Sequence, residues 1–359
     1  MVFGLLLPLA VYALVLLLHL ILPVRWTDGY VVSPTTGNPL RYRLNGLRVF
    51  LVVIALYVGA CKLGWLPWEV FYEHRWESAA GACALGLIFT LAVVLPAPAI
   101  TGKGLLADLY LGRLENPQWL GARVDAKMIL YLVGAIQLEL NVLSFTAKHL
   151  QLYPADPSPG VLLYAALFSF FVTEYLNFER VHLYTYDFFA ERVGFKLGWG
   201  CLVFYPFFYC VGLWSVAERP NPHTPVAQLV AYGALFFLGW MLSRGANLQK
   251  YHFKISPEKK VFGLLAPQVV SDGKRRLLCS GFWGLSRHVN YLGEIFMALG
   301  LALSLGYPAD PFPWLYPVYY VALLFPRQHF DDQRCAAKYG PLWQEYTKRV
   351  RWRIIPFVY

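Results

Sequence analysis

Charged residues are scarce in this sequence. Asp, Glu, Lys and Arg together make up 14% of its 359 residues, whereas hydrophobic residues make up 58%. Since soluble globular domains carry about 25% charged residues, this composition excludes an ordinary soluble domain. It indicates a chain whose solvent is the lipid bilayer. We therefore predict an all-α fold, a polytopic membrane helical bundle of about nine to ten transmembrane helices.

The sequence also lacks the motifs of several other protein classes. No GxGxxG follows a strand, which argues against a Rossmann domain, and no long block of like charge suggests a nucleic-acid partner. The six cysteines show no CxxC and no Cys/His metal spacing, so we expect neither a disulfide framework nor a metal site. They are Cys61, Cys83, Cys201, Cys210, Cys279 and Cys335. Without internal repeats, residues 1–359 are interpreted as a single integral membrane domain.

What the chain has in abundance is long apolar runs. A transmembrane helix needs roughly 20 mainly apolar residues. Nine candidate runs lie at residues 2–24, 48–66, 81–99, 128–149, 160–178, 195–216, 226–246, 290–307 and 312–327. We interpret the first as a retained helix and not a signal peptide, because it lacks a basic leading segment and a small-residue cleavage site. A tenth span stays open.

Basic residues fall almost entirely on one side of these spans. Alternating the sides from run to run places 27 Lys and Arg on one face and 4 on the other. The positive-inside rule assigns the basic face to the cytoplasm. We therefore expect a cytoplasmic C-terminus, in the endoplasmic reticulum of a eukaryote or the inner membrane of a bacterium. No obligate protein partner is predicted.

Two predicted spans carry polar groups at membrane depth, where such groups are costly and therefore informative. Gln137, Glu139 and Asn141 lie in the fourth span; they suit either hydrogen bonds between helices or the wall of a cavity. In the sixth span Pro206 removes a backbone hydrogen bond and predicts a kink. Tyr209, close to that kink, is placed to offer a phenolic proton to a ligand bound between helices.

The last third of the chain concentrates polar residues at three predicted cytoplasmic membrane boundaries. Arg244, Asn247, Lys250 and Lys254 recur at helical spacing after the seventh span. "FWGLSRHVNYLGE" begins the eighth, and "DDQRCAAKYG" follows the ninth. Three polar segments thus converge on one side of the membrane.

Such a site suits an anionic ligand with flat rings. Lysine and arginine bind phosphates, and Trp283 and Tyr291 can pack against rings. Asn290 can pair with an amide or a ribose hydroxyl, while Arg287 and His288 are candidates for binding phosphate or bracing the loop. A dinucleotide cofactor has all of these parts.

These segments also resemble a known family. "RGANLQKYHF", "LLCSGFWGLSRHVNYLGE" and "DDQRCAAKYGPLWQEYTKRVRWRIIP" closely resemble the sterol reductases, which include delta-14 sterol reductases, 7-dehydrocholesterol reductase, the yeast C-24(28) reductase and the membrane domain of lamin B receptor. Upstream, "GNPLRYRLNGLRV" and "GFKLGWGCLVFYPFFY" resemble the same family, so the likeness runs from about residue 37 to the end. It implies a ten-helix membrane fold, NADPH as cofactor and reduction of a sterol carbon-carbon double bond.

Carried over position by position, the resemblance implies a set of cofactor contacts in the last third of the chain. They are Lys250, Lys254, Leu278, Trp283, Asn290, Tyr291, Asp331, Cys335, Ala336, Ala337, Lys338, Tyr339 and Tyr346. Residues 241–359 would then be the cofactor-binding part and residues 1–240 mainly the substrate side. Lys254, Cys201 and Glu191 depart from the family pattern, which has arginine at the first position and aspartate at the other two.

The implied chemistry needs an acid as well as a hydride. An isolated alkene accepts hydride poorly, so protonation of one olefinic carbon is expected to precede hydride delivery from the nicotinamide. We assign the proton to Tyr209, relayed or oriented by Asp331 or Glu294, with purely structural roles for Tyr209 and Glu294 as the alternative. The substrate would be a sterol within the membrane, with the 14-position ranked first and C-7 and C-24(28) left open.

Two alternatives remain at this point. Part of the chain fits a membrane methyltransferase of the isoprenylcysteine carboxyl type, through an RHPxY-like motif, an acid pair and a glycine-tyrosine tail. The matching residues are Arg287, His288, Tyr291, Asp331, Asp332, Gly340 and Tyr346. The second alternative is a non-catalytic sterol-binding protein, which the departures at Cys201 and Glu191 motivate.

Overall fold

The computed structural model describes residues 2–100, 102–264 and 266–359, which are mainly helical. The chain divides into two compact units, one ending at Asn221 and the other beginning at Pro222. The functional boundary that the sequence predicts at residue 240 lies inside the helix Val226–Ile255. Its division into a substrate side and a cofactor side stays a prediction.

The first unit combines long helices with two short hairpins. Its helices are α1 (Val2–Ile21), α2 (Gly46–Lys62), α3 (Val70–Glu73), α4 (Arg75–Val94), α5 (Leu105–Leu111), α6 (Ala126–Leu152), α7 (Pro159–Asn177), α8 (Glu179–His182), α9 (Tyr186–Phe189), α10 (Phe195–Trp199), a π-helical segment (Gly200–Phe208) and α11 (Val211–Val216). Its strands are β1 (Arg25–Val32), β2 (Pro39–Leu44), β3 (Gln118–Trp119) and β4 (Val124–Asp125), paired antiparallel as β1 with β2 and β3 with β4.

The second unit has fewer elements. Its helices are α12 (Val226–Ile255), α13 (Phe282–Leu285), α14 (Val289–Ser304), α15 (Pro311–Tyr339) and α16 (Pro341–Arg349). Its strands are β5 (Val269–Ser271) and β6 (Arg276–Leu278), an antiparallel pair. All sheets in the described ranges are such two-stranded pairs, and none is parallel.

Each of the nine predicted spans overlaps a helix. Six of the described helical segments are long and apolar enough to cross a membrane, and α14 is a shorter apolar helix. The all-α, multi-pass membrane fold that the sequence predicts is therefore confirmed. The number of spans, nine or ten, stays a prediction.

Helix α6 is the most buried long helix of the first unit, with 89% of its apolar window buried against 39% for α1. It begins where it does because the Asp125 carboxylate accepts hydrogen bonds from the backbone N–H groups of Lys127 and Met128, at 3.1 and 3.0 Å. These are donors that the first turn of a helix leaves unpaired. A polar cap thus starts a helix that is otherwise packed on nearly every face.

Lys127 lies in this first turn and is fully buried. Its Nζ donates to three backbone carbonyls, those of Asp187 (2.7 Å), Phe188 (3.1 Å) and Glu191 (2.7 Å). The ammonium group therefore ties the loop around α9 to the start of α6. A lysine can be buried here because all three of its donors have acceptors.

We expect Lys127→Met to destabilise the protein by about 2 kcal/mol, since it leaves buried carbonyls without a donor. Thermal unfolding in detergent measures this loss. Lys148→Met is the matched control on the same helix, because its ion pair with Glu73 (2.6 Å) involves a half-exposed carboxylate. Surface pairs contribute about 0–1 kcal/mol. Equal losses in the two variants would contradict the role given to Lys127.

The carboxyl group of Glu179 on α8 is buried at the edge of the first unit. It accepts a hydrogen bond from the backbone N–H of Gly46 at 3.0 Å. Burial raises the pKa of Glu179 from 4.5 to about 7, and the hydrogen bond from Gly46 opposes that shift only in part. The folded protein therefore retains the Glu179 proton at pH values where the unfolded chain has lost it.

This pKa shift makes stability depend on pH. Because the folded pKa lies above the unfolded one, the contribution to stability is full below pH 4.5 and is lost as the pH rises through 7. Glu179→Gln keeps an oxygen that can accept the hydrogen bond from the Gly46 N–H, but its amide does not titrate. We expect the variant to match the wild type near pH 4.5 and to exceed it by up to about 3 kcal/mol at pH 8. Thermal unfolding of both proteins across this range is the measurement, and parallel curves would refute the shift.

Candidate functional site

Tyr209, the proposed proton donor, lies in the first unit directly after the π-helical segment. Pro206 lies inside that segment, so the predicted kink takes the form of a π-helix, a feature common at functional sites. The Tyr209 ring packs edge-on against Tyr205, with centroids 4.8 Å apart. Its side chain is half-buried. A phenol held beside a widened helix is well placed to meet a molecule between helices.

Two of the three polar residues of α6, Glu139 and Asn141, make hydrogen bonds to neighbouring helical segments. The Asn141 amide donates to the carbonyl oxygen of Pro206 at 2.9 Å and accepts from Gln137 at 3.0 Å. Ser169 of α7 donates to Glu139 Oε1 at 2.6 Å. Asn141 and Glu139 thus bond to neighbouring segments, while Gln137 bonds within α6; whether these side chains also line a cavity stays a prediction. Asn141 also satisfies a carbonyl within the π-helical segment.

In the second unit, α12 continues as a helix through the predicted polar stripe to Ile255. Trp283 Nε1 donates to the Ala246 carbonyl of this helix at 2.8 Å. The Lys250 ammonium lies 5.7 Å from the centre of the Trp283 ring, within cation–π range. Lys254, one turn later, is exposed. The structure therefore brings the predicted cation and the predicted aromatic platform together.

Tyr291 and Asp331 form the second contact between predicted site residues. The Tyr291 hydroxyl donates to Asp331 Oδ2 at 2.7 Å, and both side chains are buried. Lys250 lies within electrostatic range of Asp331 and Cys335. The start of α14, the C-terminal part of α12 and the C-terminal half of α15 thus contribute to one polar cluster. It contains a cation, a carboxylate and a phenol.

Asn290 immediately precedes Tyr291 in the first turn of α14. Its Oδ1 is buried and has no hydrogen-bond partner within the described residues. A buried acceptor without a donor is costly. A bound ligand could supply the hydrogen-bond donor that this oxygen lacks.

Glu294, the third proposed catalytic residue, lies one turn beyond Asn290. Ser243 of α12 donates to Glu294 Oε1 at 2.6 Å. This hydrogen bond joins α12 to α14. Neither Glu294 nor Asp331 belongs to the same unit as Tyr209. A relay among the three residues stays a prediction.

The remaining predicted cofactor residues lie around α16. Tyr346 is buried in an apolar cluster with Cys279, Leu342 and others, and its burial raises the pKa of the phenol, which stays protonated. Leu278 pairs with Val269 in the β5–β6 hairpin. Arg275 of this hairpin donates to the carbonyl oxygens of Lys338 and Tyr339. Cys335 is half-buried, and Ala336, Ala337 and Lys338 are exposed along the end of α15.

Gln249 is a positioning residue that sequence reasoning missed. It is 1% exposed; its amide nitrogen donates to the Ser280 carbonyl at 2.9 Å, and its amide oxygen accepts from the Phe282 N–H at 2.9 Å. These bonds hold the segment that carries Trp283 against α12. The only signal in the sequence is one glutamine beside Lys250, which predicts nothing without the fold.

Comparison with known proteins agrees with these features. The family model described as "Ergosterol biosynthesis ERG4/ERG24 family" matches residues 2–359. The chain is 34% identical to a Delta(14)-sterol reductase of Arabidopsis thaliana, over 94% of this chain and 91% of the plant protein. It is 33% identical to a Delta(14)-sterol reductase of Methylotuvimicrobium alcaliphilum, over 93% and 79% of the two chains. It is 34% identical to the mouse Delta(14)-sterol reductase TM7SF2, over 89% and 77%.

A match of this extent decides between the reductase and the methyltransferase interpretations of the C-terminal motifs. The similarity spans both units, so it covers the polar cluster of the second unit and the π-helical segment of the first. The chain is a membrane protein of the ergosterol biosynthesis ERG4/ERG24 family, and thus a sterol reductase.

Proposed function

We propose that this protein reduces the 14-position double bond of a membrane sterol, with NADPH as the reductant. The observation that carries the proposal is the name shared by its plant, bacterial and mouse relatives, each a Delta(14)-sterol reductase at 33–34% identity. The polar cluster of the second unit supports the cofactor. C-7 and C-24(28) are the alternative positions for the reduced bond.

The donor set of the second unit fits a phosphorylated dinucleotide. Lys250 supplies positive charge for phosphate, and the Trp283 ring beside it offers a flat surface for a base or nicotinamide. The buried, unpartnered Oδ1 of Asn290 accepts a donor such as a carboxamide N–H or a ribose hydroxyl. Tyr291 and Asp331 would hold the same ligand from the side of α14 and α15. NADPH supplies hydride from C4 of its nicotinamide ring.

The chain itself must supply the proton and exclude water. We assign the proton to the Tyr209 hydroxyl, beside the π-helical segment, and the tight α6 packing behind it keeps bulk water away. A carboxylate or phenolate held near the developing tertiary cation lowers its energy in a region of low dielectric constant. Asp331 and Glu294 are the proposed carboxylates.

The proposed orientation of the protein in the membrane follows from its distribution of basic residues. The 27 Lys and Arg of the basic side support a cytoplasmic C-terminus and a cytoplasmic polar cluster, where NADPH would be available. The sterol would enter from the bilayer. The membrane would be the endoplasmic reticulum in a eukaryote or the inner membrane in a bacterium.

Expression in yeast strains that each lack one sterol reductase tests the position of the reduced bond. We expect restored ergosterol only in the strain that lacks 14-reduction, with the accumulated sterols measured by mass spectrometry. Restoration of another strain alone would move the assignment to C-7 or C-24(28). Purified protein should also oxidise NADPH only when a 14-unsaturated sterol is added. Sterol binding without such oxidation would favour the non-catalytic alternative.

A further inference from the structure

Asp332 adjoins Asp331 on α15, but the two carboxylates have different partners. Asp332 Oδ2 accepts from Gln328 Nε2 at 2.8 Å and lies 3.2 Å from Nη1 of Arg287 and 3.7 Å from Nε of Arg353. Its other oxygen, Oδ1, lies 3.8 Å from His288 Nε2. The Asp332 side chain is 14% exposed, and those of Arg287 and His288 are 9% and 12% exposed. The Arg353 side chain is 42% exposed. This carboxylate is therefore the centre of an ionic cluster that is buried on the side of Arg287 and His288 and reaches the surface at Arg353.

The cluster joins two segments that are far apart in sequence. The backbone N–H groups of Arg287 and His288 donate to the carbonyl oxygens of Trp352 and Arg353, at 2.9 and 2.8 Å. The Ser286 hydroxyl donates to the Ile354 carbonyl at 2.9 Å. Residues 286–288 are thus paired with residues 352–354 directly before α14 begins. Asp332 forms an ion pair with each segment, with Arg287 of the first and with Arg353 of the second.

The C-terminal segment has further attachments to α15. The Tyr359 ring stacks on Phe325 with centroids 5.4 Å apart, and its hydroxyl donates to Gln328 Oε1 at 3.3 Å. The N–H groups of Arg353, Ile354 and Ile355 all donate to the main-chain oxygen of Tyr359. The segment therefore forms a closed loop against α15 rather than an extended tail. Its residues 352–354 are thereby held in position to accept hydrogen bonds from residues 286–288.

Residues 286–288 are linked to the candidate cofactor site through stacked aromatic rings. The His288 ring lies parallel to the Tyr291 ring, with centroids 4.9 Å apart and an angle of 17° between the planes. Tyr291 in turn donates to Asp331, and Asn290 lies between His288 and Tyr291 in the chain. A shift of Arg287 and His288 would move both Asn290 and Tyr291, because the first two residues lead directly into α14 and the last two lie in its first turn.

We propose that Asp332 is a positioning residue: it locks the C-terminal segment 351–359 onto residues 286–288 and thereby holds Tyr291 against Asp331 and Asn290 in place for the cofactor. The assignment of the ligand as NADPH rests on the proposed function. The lock itself rests only on contacts within the second unit. The hydrogen bond and ion pairs of Asp332 are with Gln328, Arg287, His288 and Arg353, so its effect on Tyr291 is transmitted through the stacked His288 ring.

The test compares Asp332→Asn, Arg353→Gln and the double variant, with Glu345→Gln as the control for loss of an exposed charge on α16. NADPH affinity is measured by nicotinamide fluorescence, and kcat and KM by sterol-dependent NADPH oxidation. We expect each single variant to raise the NADPH Kd about tenfold, the size typical of a coupling through a packed network. The NADPH Kd of the double variant should not exceed the higher Kd of the two single variants, because both changes break the same set of contacts. We expect kcat to stay within about threefold of the wild type.

Hydrogen exchange separates positioning from general destabilisation. In Asp332→Asn the amides of Arg287 and His288 should exchange faster while those in the middle of α12 and α14 keep their rates. Asp331→Asn should weaken NADPH binding without this local change. Unchanged Kd in Asp332→Asn, additive losses in the double variant, or a uniform rise in exchange would each overturn the proposal. If the wild type bound no NADPH, the proposed function would fail, and the exchange at Arg287 and His288 would still decide whether the lock exists.

Discussion

Asp331→Asn is expected to lower kcat/KM by about two to three orders of magnitude. The substitution removes a buried charge that accepts a hydrogen bond from Tyr291 and lies within electrostatic range of Lys250. Removing one partner of a buried, hydrogen-bonded charge pair in a binding site costs about 2–5 kcal/mol of binding free energy, and each 1.4 kcal/mol is about a tenfold change in kcat/KM. The loss should appear in kcat as well as KM, because Asp331 is assigned both to the cofactor site and to stabilising the reacting cation. Steady-state oxidation of NADPH with a 14-unsaturated sterol measures it.

Gln333→Ala is the matched control for this prediction. Gln333 lies two residues further along α15, is exposed, and contacts His329 of its own helix. It should keep kcat/KM within about twofold of the wild type, as exposed substitutions usually do. An Asp331→Asn enzyme with the activity of this control would remove Asp331 from the site.

Gly293→Ala is expected to destabilise the second unit by about 3 kcal/mol or more, at or above the upper end of the usual cost of overpacking. A Cβ at Gly293 would lie 2.5 Å from the backbone oxygen of Gly239 and 2.5 Å from the backbone nitrogen of Ser243. A Cβ at Gly239 would likewise lie 2.5 Å from the Gly293 oxygen. The two helix backbones meet at these glycines, a common feature of helix contacts in membranes. Because the clashing atoms are backbone, rotamer changes cannot relieve the overlap, and α12 and α14 must separate.

The yield of monodisperse protein and its thermal unfolding in detergent measure this effect. Gly59→Ala is the control, since no atom lies within 4 Å of a Cβ built on that glycine of α2. There the added methyl should be neutral or should stabilise the helix by up to about 1 kcal/mol. A Gly293→Ala protein as stable as this control would show that α12 and α14 do not cross so closely. Separation of the helices would also break the Ser243–Glu294 hydrogen bond, so NADPH binding should fall with stability.

The helices could be predicted from sequence because lipid imposes a simple rule on apolar length. Every predicted span overlaps a described helix, and α12 extends past its apolar run along the stripe that ends at Lys254. The rule fails to describe local geometry. Pro206 predicts a kink, but the π-helical segment depends on Asn141 of α6, which supplies the donor for the Pro206 carbonyl. That partner is 65 residues away in sequence.

The candidate site shows the same division. Lysine, tryptophan and asparagine at a membrane boundary indicate a ligand, because burying their polar groups is costly unless a binding partner compensates for the lost hydration. Sequence spacing could not reveal that Gln249 holds the Trp283 segment or that Asp332 joins residues 286–288 to the C-terminal segment. Each of these contacts joins residues more than 20 positions apart, and their geometry depends on how helices pack.

A multi-pass helical membrane protein can be inferred from the amino-acid sequence, because a bilayer tolerates few charges and requires long apolar helices. The C-terminal motifs likewise indicate the sterol reductase family. The contacts between polar residues become visible in the fold: Tyr291 with Asp331, Trp283 with Lys250, and Asp332 with Arg287 and Arg353. Hydrogen bonds and ion pairs act over a few ångströms, and helix packing sets those distances between residues far apart in the chain.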